Sequence, residues 1–176
     1  MNKTKLVNCF LSGRRKSISK YENQTEELQS KVLQKLIRQA IHTEWGQTHG
    51  FAQVNDYNSF TKTSPINTYE ELKGYIDRMR RGEKDVLWSG KVRWYAKSSG
   101  TTNDKSKFIP VSKECLQDTH YRGGTDAVAL YLGQNPRSRM FDGKALILGG
   151  SHSPNYNLHH SLVGDLRAIF IESVSP

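Results

Sequence analysis

Apolar residues recur every three or four positions through Leu28, Val32, Leu36, Ile37, Ala40 and Ile41, with Gln29, Lys31, Lys35 and Arg38 between them. That spacing predicts an amphipathic helix from about Glu26 to Trp45, its apolar stripe turned toward a core. Asn23 and Glu26 have capping-box spacing, and Gly46 is a natural stop. The segment from His49 to Asn67 is of mixed polarity, and Ser64-Pro65 marks a turn. A second helix follows. Thr68 and Glu71 form its capping box, Leu72, Tyr75, Ile76 and Met79 its stripe, and Gly82 its end. Arg78, Arg80 and Arg81 suit the negative end of its dipole.

Glu83 to Gly90 reads as a connection, with Trp88 packed over an edge. Val92-Arg93-Trp94-Tyr95-Ala96 and Phe108-Ile109-Pro110-Val111 read as strands. Ser112 is placed to cap a third helix running to about Leu132, loosened at Gly123-Gly124, with Ala127, Val128 and Tyr131 facing the core. Ala145-Leu146-Ile147-Leu148 reads as a buried strand ending in Gly149-Gly150-Ser151, and Leu166 to Val174 fits either strand or helix. Nothing repeats at a fixed period. Helices and strands alternate, which favours an α/β layered architecture with helices packed on a mixed sheet. The last residues, Glu172-Ser173-Val174-Ser175-Pro176, follow an apolar run with no closing element, as expected of part of a larger domain.

At 176 residues the chain is long enough for one ordinary domain with a core. A hydrophobic fraction of 35% and a mean hydropathy of −0.69 describe a protein with a wet surface. No apolar run approaches the roughly 20 residues that span a bilayer, so no membrane partner is expected. Cys9 and Cys115 give neither a disulfide framework nor metal-ligand spacing, and fit reduced thiols in a cytoplasmic protein. The net charge is +9, but Lys3, Lys5, Arg14, Arg15, Lys16 and Lys20 all precede the first acid, Glu22. The excess therefore belongs to a basic N-terminal arm, residues 1–22, read as solvated. Nucleic-acid binding needs charge clustered on a fold with base-reading elements, and none is evident.

Between the two predicted strands lies Lys97-Ser98-Ser99-Gly100-Thr101-Thr102-Asn103-Asp104-Lys105-Ser106-Lys107. Its amides and hydroxyls can donate to an anion and its lysines supply charge. Composition alone leaves a phosphate cradle and an ordinary polar hairpin loop equally open, because neither common glycine-rich phosphate-loop spacing is present. His152, His159 and His160 lack supporting acid or cysteine ligands, so no metal site is expected there.

The run Ser98-Ser99-Gly100-Thr101-Thr102 through Lys107 resembles the phosphate-binding signature of the adenylate-forming superfamily. Leu36-Ile37-Arg38-Gln39-Ala40, Thr43-Glu44-Trp45-Gly46, Pro65-Ile66-Asn67-Thr68-Tyr69-Glu70-Glu71-Leu72, Leu87-Trp88, Trp94 to Thr102, Lys107 to Ser112 and Leu148-Gly149-Gly150-Ser151 occur in the order of one branch. The chain is thereby similar to the auxin-responsive acyl-acid amido synthetases, known from plants and with many bacterial relatives. That resemblance implies an ATP-dependent ligase, with Mg²⁺, that adenylates a small carboxylic acid and passes the acyl group to an amino acid. It implies that Ser98, Ser99, Gly100, Thr101, Thr102 and Lys107 wrap the ATP phosphates; Lys105 stands at a variable position of the motif and is a candidate second cation on its charge alone. Gly149, Gly150 and Ser151, at the end of a predicted strand, fit either a wall of the substrate pocket or a tight strand-to-loop turn. Residues 23–176 would be the incomplete N-terminal part of the large ATP-binding (adenylation) domain, and family members are several times longer. The expectation is then of an N-terminal fragment that is inactive alone. An acyl-CoA ligase fragment and a non-catalytic phosphoanion-binding module are the alternatives.

Overall fold

The computed structural model describes residues 3–98, 106–144, 146, 150, 153–166 and 168–169. Among them the order is α1 (Lys3–Phe10), α2 (Ser12–Ile18), α3 (Thr25–Ala40), α4 (Glu44–Thr48), α5 (Tyr57–Thr63), α6 (Tyr69–Arg80), β1 (Trp94–Lys97), β2 (Phe108–Val111), α7 (Arg122–Gln134) and β3 (Leu162–Gly164). Short 3₁₀ segments lie at Ser19–Glu22, Phe51–Gln53 and Pro154–Tyr156, and a π-helical stretch at Cys115–Tyr121 leads into α7. The chain divides into two compact units, residues 1–29 with 114–148 and residues 30–113 with 149–176.

In the first unit the expected solvated arm is helical and anchored. Arg14 sits on Asp126 of α7 in a two-pronged ion pair, Nε to Oδ1 at 2.5 Å and Nη2 to Oδ2 at 2.8 Å. That guanidinium holds the Asp126 carboxyl below its ordinary range. Arg15 donates to the Asn8 side chain at 2.7 Å and the Ala129 carbonyl at 3.3 Å. Buried Thr4 donates from its amide to Asp142 at 3.2 Å. Part of the arm's charge is thus spent on specific acids and carbonyls, which a count of basic residues does not reveal.

The third predicted helix starts close to where expected, but its irregularity falls at Cys115–Tyr121 rather than at Gly123-Gly124. Its buried residues are Leu116, Ala129 and Leu132, while Ala127 and Tyr131 are exposed. Within α7 the inward face thus lies about one residue beyond the expected positions.

The second unit holds the sheet, in the order β2-β1-β3, with β2 antiparallel and β3 parallel to β1. The sheet is mixed, as expected, and β3 was not foreseen. Its core joins Ile76 and Met79 of α6, Val86, Val92, Tyr95 and Val163, with Leu72, Tyr75 and Trp88 packed against them. Burial of Tyr95 pushes its phenol up to about 12. The Thr68–Glu71 capping box of α6 is present, with the Thr68 amide donating to Glu71 Oε2 at 2.6 Å. A second cluster of Ile37, Ala40, Phe51 and Val54 packs with Leu33, Ile41, Trp45 and Phe60.

The first predicted helix differs from expectation at both ends and on its outer face. It begins at Thr25, while Asn23 closes the preceding 3₁₀ turn. Val32 and Leu36 are 56% and 44% exposed, and the stripe that packs is Leu33, Ile37, Ala40 and Ile41. It stops at Ala40 because Thr43 serves two helices. The hydroxyl donates to the Ala40 carbonyl at 2.6 Å and accepts the Gly46 amide at 3.0 Å, capping α4. A Cβ at Gly46 would lie 2.0 Å from the Ala40 oxygen, so that glycine permits the turn rather than ending a helix. Helix α5, also unforeseen, is started by an Asp56–Ser59 capping box.

Arg78 does more than face a helix dipole. Its guanidinium bridges Glu44 at the start of α4, at 2.5 and 2.9 Å, and Glu83 just after α6. Hydrogen bonds from Arg78 hold both carboxyls below their ordinary value of 4.5. Carboxyls so depressed add stability that is fully present above pH 4.5 and is lost as the pH falls through their folded values. Urea melts at graded pH should show that acid loss in the native chain, and a smaller loss in Arg78→Gln. A Gln variant with an unchanged acid slope would show that the bridge is not its source.

Candidate functional site

β1 and β2 form a hairpin whose base is closed by Ser98 and Lys107. The Ser98 amide donates to the Lys107 carbonyl at 3.0 Å, and the Lys107 amide donates to Ser98 Oγ at 3.2 Å. Of the candidate phosphate residues, the structure places these two side by side. Ser99, Gly100, Thr101, Thr102 and Lys105 lie outside the described residues. Of the candidate substrate wall, Gly149 and Ser151 also lie outside them, as does most of the predicted strand at 145–148. Gly150 is exposed, and a Cβ there would come within 2.4 Å of Asp165 Cβ, so close packing accounts for that glycine.

Lys97, a lysine of the quoted cradle segment, and three side chains with no expected part in the site, Arg80, Tyr69 and Tyr156, surround the hairpin base. Lys97 faces Phe108 across the strands, and its ammonium lies 3.9 Å from the Tyr156 ring centroid. Arg80, with only 12% of its side chain exposed, stacks its guanidinium 3.8 Å from the Phe108 centroid and donates to the Tyr156 carbonyl at 2.9 Å. Tyr69, the first residue of α6, accepts the Phe108 amide at 2.9 Å, and the Lys107 ammonium stands 5.4 Å from its ring centroid. Lys97 is within the quoted motif and Tyr69 within the segment Pro65 to Leu72. Arg80 reads locally as a dipole partner, and Tyr156 carries no sequence signal at all.

Chemically, the base of this loop is a positive rim on aromatic supports. A ring face stabilises a cation without neutralising it, so the charge stays available to an arriving anion. Among the described residues no group of three or more His, Cys, Asp or Glu is placed to hold a metal ion. No helix among them is long and apolar enough to cross a membrane. No disulfide joins Cys9 and Cys115, and both are exposed.

A family model described as the GH3 family N-terminal domain matches residues 14–172. The jasmonoyl-L-amino acid synthetase JAR6 of Nicotiana attenuata is 32% identical over 108 residues, covering 59% of this chain and 19% of that protein. The indole-3-acetic acid-amido synthetase GH3.15 of Arabidopsis thaliana is 32% identical over 93 residues, covering 52% and 16%. A solved structure of the acyl acid amido synthetase AtGH3.15 in complex with 2,4-DB superposes with a TM-score of 0.72 at 26% identity, covering 89% of this chain and 27% of that one. The matched segments cover less than a fifth of the length of these curated relatives and about a quarter of the solved chain.

The rim makes a stability prediction. Arg80→Ala should lower the unfolding free energy of the second unit by about 1–3 kcal/mol, from a lost stack and a lost charged hydrogen bond. Arg80→Lys should recover only part of it, because an ammonium cannot both stack flat on Phe108 and reach the Tyr156 carbonyl. Urea titration compares them, and full recovery by Lys would mean that charge alone matters.

Proposed function

The chain belongs to the GH3 family, and from that premise we propose that it supplies the ATP phosphate site of an acyl-acid amido synthetase. Residues 23–176 are then part of the adenylation domain. The observation that carries this reading is the hairpin base, where Ser98 and Lys107 bracket the residues that resemble a phosphate signature.

In the reaction proposed, the carboxylate oxygen of a small acid attacks the α-phosphorus of ATP, and the bond to pyrophosphate breaks. The amine of an amino acid then attacks the acyl carbonyl, and AMP leaves. A carboxylate is a poor electrophile, and AMP makes it a good one. The part given to this chain is positioning and charge. Ser98, Ser99, Gly100, Thr101 and Thr102 wrap the terminal phosphates, Lys107 offsets negative charge there, and Lys105 adds a second cation. Mg²⁺ lowers the charge of the nucleotide it accompanies. It fits as a companion of the phosphates, because such ions keep several waters and need few protein ligands. Gly149, Gly150 and Ser151 form one wall for the acid. The relatives named for jasmonoyl and indole-3-acetic acid conjugates make a small organic acid the natural class of substrate. The exposed, unbridged thiols suit a reducing, cytoplasmic setting.

On this reading the 176-residue chain binds Mg–ATP but does not by itself release pyrophosphate, since its relatives are several times its length. Calorimetric titration with Mg–ATP should detect binding, weakened about 10- to 100-fold in Lys107→Ala. ATP–pyrophosphate exchange with a panel of small carboxylic acids should stay at background. Absence of nucleotide binding would remove the phosphate-site reading, and robust exchange would overturn the assignment of inactivity to the chain alone. Nucleic-acid binding lost with residues 1–20 and falling steeply with salt would instead favour a basic-arm function.

A further inference from the structure

We infer that Tyr69 is a positioning residue that sets Lys107 for its contact with phosphate, an inference that rests on the phosphate-site reading above. Two contacts converge on this one side chain. Its phenolic oxygen accepts the Phe108 amide at 2.9 Å, and its ring lies beneath the Lys107 ammonium at 5.4 Å.

The backbone contact has a definite origin. Ser98 and Lys107 exchange the last bond of the ladder, so the next pair, Lys97 and Phe108, is one without ladder bonds. The Phe108 amide therefore points away from β1, on a strand with no further neighbour on that side among the described residues. Tyr69 supplies the acceptor that this edge needs. It thereby fixes the backbone one residue after Lys107 while its ring holds the end of the same lysine's side chain.

Tyr69 is itself held firmly. It is the first residue of α6, directly after the Thr68–Glu71 capping box, and Leu72, Tyr75, Ile76 and Met79 tie the following turns into the core. An ammonium on a free four-carbon stem samples many rotamers, and ordering it on binding costs affinity. A ring that confines it beforehand reduces that cost and keeps the charge intact.

Magnesium tripolyphosphate is the probe, because it reads phosphate contacts without calling on a nucleoside pocket. Affinity is measured for the native chain and for Tyr69→Phe, Tyr69→Leu, Lys107→Ala and the Tyr69→Phe/Lys107→Ala pair, each below its unfolding transition. Tyr69→Phe, which keeps the ring, should weaken binding about 2- to 5-fold, and Tyr69→Leu about 5- to 20-fold. In the Lys107→Ala background the Tyr69→Phe change should have no further effect, because Tyr69 acts through that lysine. A merely structural tyrosine would lower thermal stability in both backgrounds and leave affinity unchanged. Lys107→Ala weakening binding while the Tyr69 variants do not, or purely additive losses, overturns the positioning role alone. Native chain that binds neither tripolyphosphate nor ATP, or Lys107→Ala that binds both normally, overturns the phosphate-site reading beneath it.

Discussion

Strand β1 has a hydrogen-bonded neighbour on both edges, and everything near the candidate site depends on that arrangement. Four residues are too few to hold a two-stranded ribbon in water. β1 gains stability from β3, which arrives from far along the chain and begins with the Leu162 amide donating to the Arg93 carbonyl at 2.8 Å. It gains it also from α6, whose Ile76 and Met79 join Tyr95 and Val163 in one core. The cost of closing so long a connection rises only slowly with its length, so a distant third strand is an economical solution. Its consequence is that the hairpin base is held by the sheet beneath, by α6 at the side and by the Pro154–Tyr156 turn.

Three cations meet at that base, and aromatic faces are what let them coexist. Lys97 lies over Tyr156, Arg80 over Phe108 and Lys107 over Tyr69. Arg80 has Asp77 at 3.9 Å besides. The Arg78 bridge shows the other solution in the same unit, a guanidinium shared by two carboxylates. The contrast is functional in kind. A carboxylate partner competes with an incoming phosphate for the same charge, whereas a quadrupole does not. Arg78 is thus suited to tying α4 to the end of α6, whereas Lys97 and Lys107 keep their charge on aromatic faces.

What could be read from the chain follows the range of the interactions concerned. The Thr68–Glu71 box, the stripe of α6 and the hairpin strands are encoded within a few residues, and they stand where the periodicity puts them. The break after Ala40 depends on one hydroxyl bonding in two directions, and a pattern of apolar spacing is blind to it. The π-helical stretch that leads into α7 is likewise announced by nothing in the apolar period. The basic arm was misjudged because Arg14 finds its acid more than a hundred residues away, at Asp126. Val32 and Leu36 show the reverse error, since apolar spacing marks a possible inner face without saying how much of it is covered.

The candidate site divides along the same line. Hydroxyls, glycine and lysines gathered in one short segment are legible from near neighbours alone, and that composition fits a phosphate cradle and a polar hairpin loop equally well. The groups that hold the loop's ends are remote. Tyr69 reaches Phe108 across 39 positions and Arg80 reaches the Tyr156 carbonyl across 76. Each side chain has an unremarkable local reading, as a helix-start residue, a dipole partner or a turn residue. Their joint meaning exists only once α6, β2 and the turn before β3 are brought together. A loop motif thus states what a ligand could be, whereas its support decides how well the motif is aimed. In this chain the first is written locally and the second is a property of the fold.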